Sequence, residues 1–174
     1  MAETPTSLES HCLFAVKNVL KDMARAGVFK VKRGGSVDRV REQAVISQFG
    51  RSVDTSSLPL PGFVVTYLGH NRSVNAGENN ADIGVISILV QFIDKMTDED
   101  DPNANSYFTW LSTARTWLLD GPLESPPESL GHVYHTHISD YSPPTEYDWA
   151  VHYRMKMMFT VQAFTKTKRT KETT

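Results

Sequence analysis

Three histidines and an aspartate lie close together in the C-terminal part of the chain: His132, His135, His137 and Asp140. Residues two apart on a strand share a face, so His135 and His137 would turn both imidazoles to one side, as a pair of metal ligands must. Asp140, Glu146, Asp148 or His152 would then supply a third ligand. The competing reading is a solvated strand face on which His, Thr and Tyr serve as polar, β-forming residues. A lone His-x-His pair has little specificity, and this plainer reading is adopted: no metal and no cofactor are expected, with His135, His137 and Asp140 as the alternative set.

Other chemistry has weaker support. Nucleophilic catalysis needs a nucleophile, a base and an orienting group brought together. The single cysteine, Cys12, falls in an apolar helical stripe, where cysteine behaves as a small hydrophobe. No serine sits in a Gly-x-Ser-x-Gly elbow. The acidic run Asp98-Glu99-Asp100-Asp101 does not match a Ca²⁺-loop pattern and reads as a solvated turn. Gly34-Gly35 among bases could cradle phosphate, but no suitable helix follows, and no reading helix or aromatic RNA-binding strand is evident. The expectation is a protein without enzymatic activity. Trp110 and Trp117 read as core, whereas Tyr147 and Trp149, beside Pro143-Pro144, have the character of interface anchors.

The elements that must carry these residues fit one domain. The 174 residues, 40% hydrophobic and 22% charged, suit a single folded domain, and no apolar run approaches membrane-spanning length. Net charge is −2, which makes no case for nucleic acid in bulk, but the charges are segregated. Arg25–Arg51 carries seven bases against two acids, Asp94–Asp148 eleven acids against two bases, and the tail from Thr165 four bases against one acid. Such segregation can furnish two complementary surfaces on one molecule.

Apolar residues at helical spacing predict a helix over Ser7–Ala26, capped by Thr6 or Ser7 and ended by a left-handed Gly27. Residues 1–6 are expected to form a flexible arm, 7–164 a single α+β domain, and 165–174 a basic flexible tail. Lys32–Pro61 reads as a long loop in which Ala44–Phe49 is either a strand or a short helix. Gly62–Leu68 and Ile83–Ile93 read as a long antiparallel hairpin, the second strand apolar on both sides and so covered on both. A second helix is expected around Tyr107–Leu118. Val133–Ile138 and Val151–Ala163 complete the set, the last keeping period two over thirteen residues. Together they predict an antiparallel four-stranded sheet with two helices packed on one face.

The amphipathic first helix, the apolar strand Ile83-Gly84-Val85-Ile86-Ser87-Ile88-Leu89-Val90-Gln91-Phe92, the Tyr107–Trp110–Leu111 helix and the long final strand Trp149–Phe164 follow a familiar order. This order resembles that of the tail terminator, or tail-completion, proteins of long-tailed bacteriophages. The resemblance implies a small structural subunit, usually one of a hexameric ring, that caps the tail tube and docks on the head-completion or connector protein. It also implies assembly in the host cytoplasm, residence in the virion and no membrane. Another neck or head–tail connector protein is the alternative within the same resemblance. Outside it stand a metal-binding module or metal-dependent enzyme built on the histidines, and a binding module that uses the basic loop for nucleic acid or a phosphorylated ligand. A closed ring would set bases such as Lys32, Arg33, Arg39 and Arg41 against Asp98, Glu99, Asp100 and Asp101 of the next subunit, with Tyr147 and Trp149 as further interface candidates. The competing role for the basic loop is transient contact with passing DNA.

Overall fold

A computed structural model describes residues 5–33, 36–49, 58–73, 81–95, 110, 112–118, 131–142, 148–150 and 153–168. The fold is α+β: two helices and a five-stranded, mixed but mostly antiparallel open sheet. Helix α1 spans Leu8–Arg25, and α2 is described at residues 110 and 112–118. The strands are β1 (Lys30–Arg33), β2 (Ser36–Arg39), β3 (Val45–Phe49), β4 (Gly62–Ser73), β5 (Ala81–Lys95), β6 (His132–Ser142), β7 (Asp148–Ala150) and β8 (Tyr153–Lys168).

Helix α1 begins where expected because Ser7 is its N-cap. The Ser7 hydroxyl accepts from the Ser10 amide at 3.1 Å, and the Ser10 hydroxyl answers the Ser7 amide at 3.1 Å. This reciprocal box satisfies two amides that a helix start leaves open. Gly27, at φ 73°, supplies the left-handed turn that ends it. One stripe of α1 is buried through Leu8, Cys12, Leu13, Val16, Leu20 and Met23.

The main sheet runs β3-β4-β5-β8-β6, with β7 pairing the start of β8 beyond the end of β6. Four of these strands are the expected ones. The sheet differs from the four-stranded antiparallel expectation through β3, which pairs parallel with β4 from Val45↔Phe63 to Phe49↔Tyr67. Parallel pairing needs a connection of about a dozen residues, and residues 50–61 provide that length. The stretch 32–61, expected as a long loop, therefore holds much regular structure. β1 and β2 form a small hairpin, Glu42–Ala44 is one 3-10 turn, and β3 joins the main sheet. The expected tail is corrected at its start, since Thr165–Lys168 continues β8 and pairs with Ala81–Gly84.

Both helices contribute to one core cluster on a single face of the sheet. Ile86, Ile88, Val90 and Phe92 of β5 and Phe159, Val161 and Ala163 of β8 line that inner face, as period two requires. Phe29, Phe63, Phe92 and Trp110 form its aromatic centre, with neighbouring ring centroids 4.6–5.3 Å apart. Edge-on and tilted rings at this range attract beyond their buried area, so Trp110 clamps α2 to the strands. Thr136 adds a polar tie, its hydroxyl donating to the Leu118 carbonyl at 2.7 Å.

The outer face is treated differently. β5 was expected to be covered on both sides, yet among the described residues the outer cover is confined to one corner. There Leu58, Val64 and Ile93 are buried together with Ile46 and Leu60. Away from that corner Val85, Leu89 and Phe164 are half-buried, while Leu68, Ile83 and Tyr134 are exposed.

Candidate functional site

The histidine pair occupies the side expected of it. Thr136 points into the core, so His135 and His137 on either side of it both lie exposed on the outer face of β6. His135 stands over the Phe164 ring, 5.5 Å between centroids. His132 is also exposed, at the start of the strand. Asp140 and Asp148 lie on β6 and β7, but their side chains, like all of Glu146 and His152, fall outside the described residues. Among the described residues no group of three or more His, Cys, Asp or Glu side chains is placed to hold a metal ion. Cys12 is fully buried, and its thiol is pushed up to about 12, first by burial and then by the Glu9 charge. Such a thiol stays protonated and is a poor nucleophile.

The interface candidates are divided among several places. Arg39 ends β2, and Arg41 lies just past it; both are exposed. Lys32 and Arg33 belong to β1 and pair in register with Val37 and Ser36, with their side chains outside the described residues. Trp149 lies on β7, also without a described side chain, and Asp98, Glu99, Asp100, Asp101 and Tyr147 fall outside the described residues. Arg39 and Arg41 open onto a cleft of about 820 Å³ between the C-terminal end of α1, β2 and Leu60–Pro61. Arg25, at the same cleft, is occupied: it reaches Asp22 at 2.6 Å and Glu42 at 2.9 Å. Arg39 and Arg41 form no ion pair with a described residue.

The most closely coupled polar group is one that sequence reasoning missed. Where the apolar rows of the inner face end, beside the start of α1, Glu9 meets His70 and Arg72 of β4. The imidazole Nδ1 is 2.8 Å from Glu9 Oε1, and an Arg72 guanidinium nitrogen donates to the same oxygen at 3.0 Å. On the other side of the ring, Nε2 lies 3.3 Å from the Thr165 hydroxyl, which also reaches the Gly84 carbonyl at 3.2 Å. Burial alone would raise the Glu9 carboxyl, but hydrogen bonds from His70, its own backbone, Arg72 and Ser7 outweigh it and bring the group down to about 2. The Tyr67 phenol next to it is raised by burial and by the Glu9 charge.

A carboxylate, an imidazole and a hydroxyl in line are the parts of a nucleophilic relay. Here the hydroxyl cannot meet a substrate: Thr165 is 1% exposed and the His70 side chain 5%. The arrangement instead fixes the first turn of α1 to the ends of β4 and β8. Gly84 makes room for it, since a Cβ there would lie 2.5 Å from His70 Nε2. His70 is 61 residues from Glu9 and 95 from Thr165, so no local spacing announces the cluster. Gly84 within an otherwise apolar strand is the one sequence signal, because an isolated strand glycine often marks a close approach.

A scan of protein-family models finds no match to this chain, and a search of curated proteins finds none.

Proposed function

We propose that this protein is a structural, non-enzymatic ring subunit of a virion neck, acting as a tail terminator that caps the tail tube and meets the head-completion or connector protein. A hexamer is the ring size the sequence resemblance favours, and another head–tail connector is the alternative place in the same assembly. The observation that carries the reading is the outer face of the sheet. β5 and β8 pair over fifteen and sixteen residues, about 50 Å at the usual rise. The helices cover their inner side, while apolar Leu68 of β4, Ile83 of β5 and Tyr134 of β6 stand exposed. Exposed apolar side chains on a sheet face without a helix over it among the described residues are what a docking face offers.

The edges of the sheet suit face contact better than strand addition. β6 is an edge strand interrupted by two bulges, at Val133/His135 and Ser139/Tyr141, and bulges discourage pairing with another chain. The test is Leu68→Glu with Tyr134→Glu, both at exposed positions. These changes should leave the fold intact by circular dichroism and abolish rings seen by negative-stain imaging. Rings undisturbed by both charges would refute the assignment of this face.

A further inference from the structure

The cleft between the end of α1, β2 and Leu60–Pro61 has a lining that matches one segment of the chain's own sequence. Arg39 and Arg41 bring two guanidiniums to it without an ion-pair partner among the described residues, Asp38 brings one carboxylate, and Val37, Val40, Leu60 and Pro61 supply an apolar wall. It is an open cleft of about 820 Å³. A sugar–phosphate backbone would use only the charges. An acidic peptide with apolar neighbours would use both parts of the lining, since a guanidinium takes a carboxylate through two parallel hydrogen bonds. Asp98-Glu99-Asp100-Asp101 is such a peptide, with Met96 before it and Pro102 after it.

Building on the ring reading, we infer that the Arg39–Arg41 cleft is the socket for the Asp98–Asp101 segment of a second copy of this chain. Socket and segment are different parts of the sequence, so the contact is head-to-tail. Each copy offers one socket and one segment, and repetition of the contact closes a ring when the rotation permits. Exposed guanidinium–carboxylate pairs set register and partner choice more than affinity, and they weaken as salt rises.

The experiment is native mass spectrometry of the full chain at low ionic strength, with two neutralised variants. One carries Arg39→Gln and Arg41→Gln; the other carries Asp98→Asn, Glu99→Gln, Asp100→Asn and Asp101→Asn. Each variant should keep the wild-type melting temperature within a few degrees and lose association by about tenfold or more. Mixed together they should regain association with one-to-one stoichiometry, because the arginine variant keeps a working segment and the acidic-segment variant keeps a working socket. Variants that assemble as the wild type does would overturn the socket while leaving the ring reading intact. A wild-type chain that stays monomeric would overturn both. Failure of the mixture to pair would overturn the contact between copies. Loss of binding to a short DNA duplex in the arginine variant, with assembly unchanged, would assign the cleft to nucleic acid instead.

Discussion

Replacing Gly84 with alanine should destabilise the protein far more than an alanine in a strand ordinarily does. The new methyl carbon would lie 2.5 Å from His70 Nε2 and 3.0 Å from the Asn71 carbonyl oxygen. The imidazole has little room to retreat, because its side chain is 5% exposed and held by Glu9 at 2.8 Å. Overpacking of a tight site costs about 1–3 kcal/mol. If the ring is displaced, the bond to the Glu9 carboxylate is lost as well, worth about 1.5–3 kcal/mol for a charged partner. Arg72 still holds Glu9 at 3.0 Å, so the two costs do not add in full, and the total expected is about 2–4 kcal/mol. Urea melts of Gly84→Ala, His70→Ala and the double variant form the assay. Removing the imidazole removes the clash, so the double variant should be more stable than the sum of the singles by about 1 kcal/mol or more. Simple additivity would mean that Gly84 and His70 do not depend on each other, and the account of the cluster would fail.

The Glu9 carboxyl, lowered to about 2 from an ordinary 4.5, gives the native state a share of stability that is full above 4.5 and lost as pH falls through about 2. The sign follows because the unfolded chain takes up the proton first. Glu9→Gln should flatten the pH dependence of the melting temperature in that window, and an unchanged profile would contradict the assignment. On β8, Phe159 is 1% exposed in the core whereas Thr160 faces outward. Phe159→Ala should cost about 3–5 kcal/mol and Thr160→Ala under about 1 kcal/mol in urea melts; equal costs would reverse the faces. Changing the exposed His135 and His137 together to Gln should alter stability by no more than about 0.5 kcal/mol. Stoichiometric zinc in the purified wild type, lost in that pair, would restore the metal reading.

The parts of this fold legible in the sequence are those governed by local periodicity. The α1 stripe, a cap at Thr6 or Ser7, the Gly27 stop, the β4–β5 hairpin and the alternation of β8 each follow from neighbouring residues. The parallel strand β3 was not decidable, because five residues of mixed character take their pairing from Phe63–Tyr67 rather than from themselves. The β1–β2 hairpin was half legible: Phe29–Val31 reads as a short strand and overlaps β1, but β2 is four residues, three of them charged or small. The side shared by His135 and His137 was legible from period two. The Glu9–His70–Thr165 cluster was not, because it exists only once α1, β4 and β8 have been brought together. The outer face shows the limit of a purely apolar signal. Ile83, Val85 and Leu89 promise burial, and the sequence does not specify what provides it.

The most direct test of ring assembly is the molar mass of the purified 174-residue chain in low-salt solution, followed across concentration. A closed hexamer of the 19.5 kDa chain would weigh about 117 kDa. A ring held in part by charge pairs should give a discrete species of that order that dissociates toward the monomer as salt is added. A single 19.5 kDa species at every concentration and salt would contradict it.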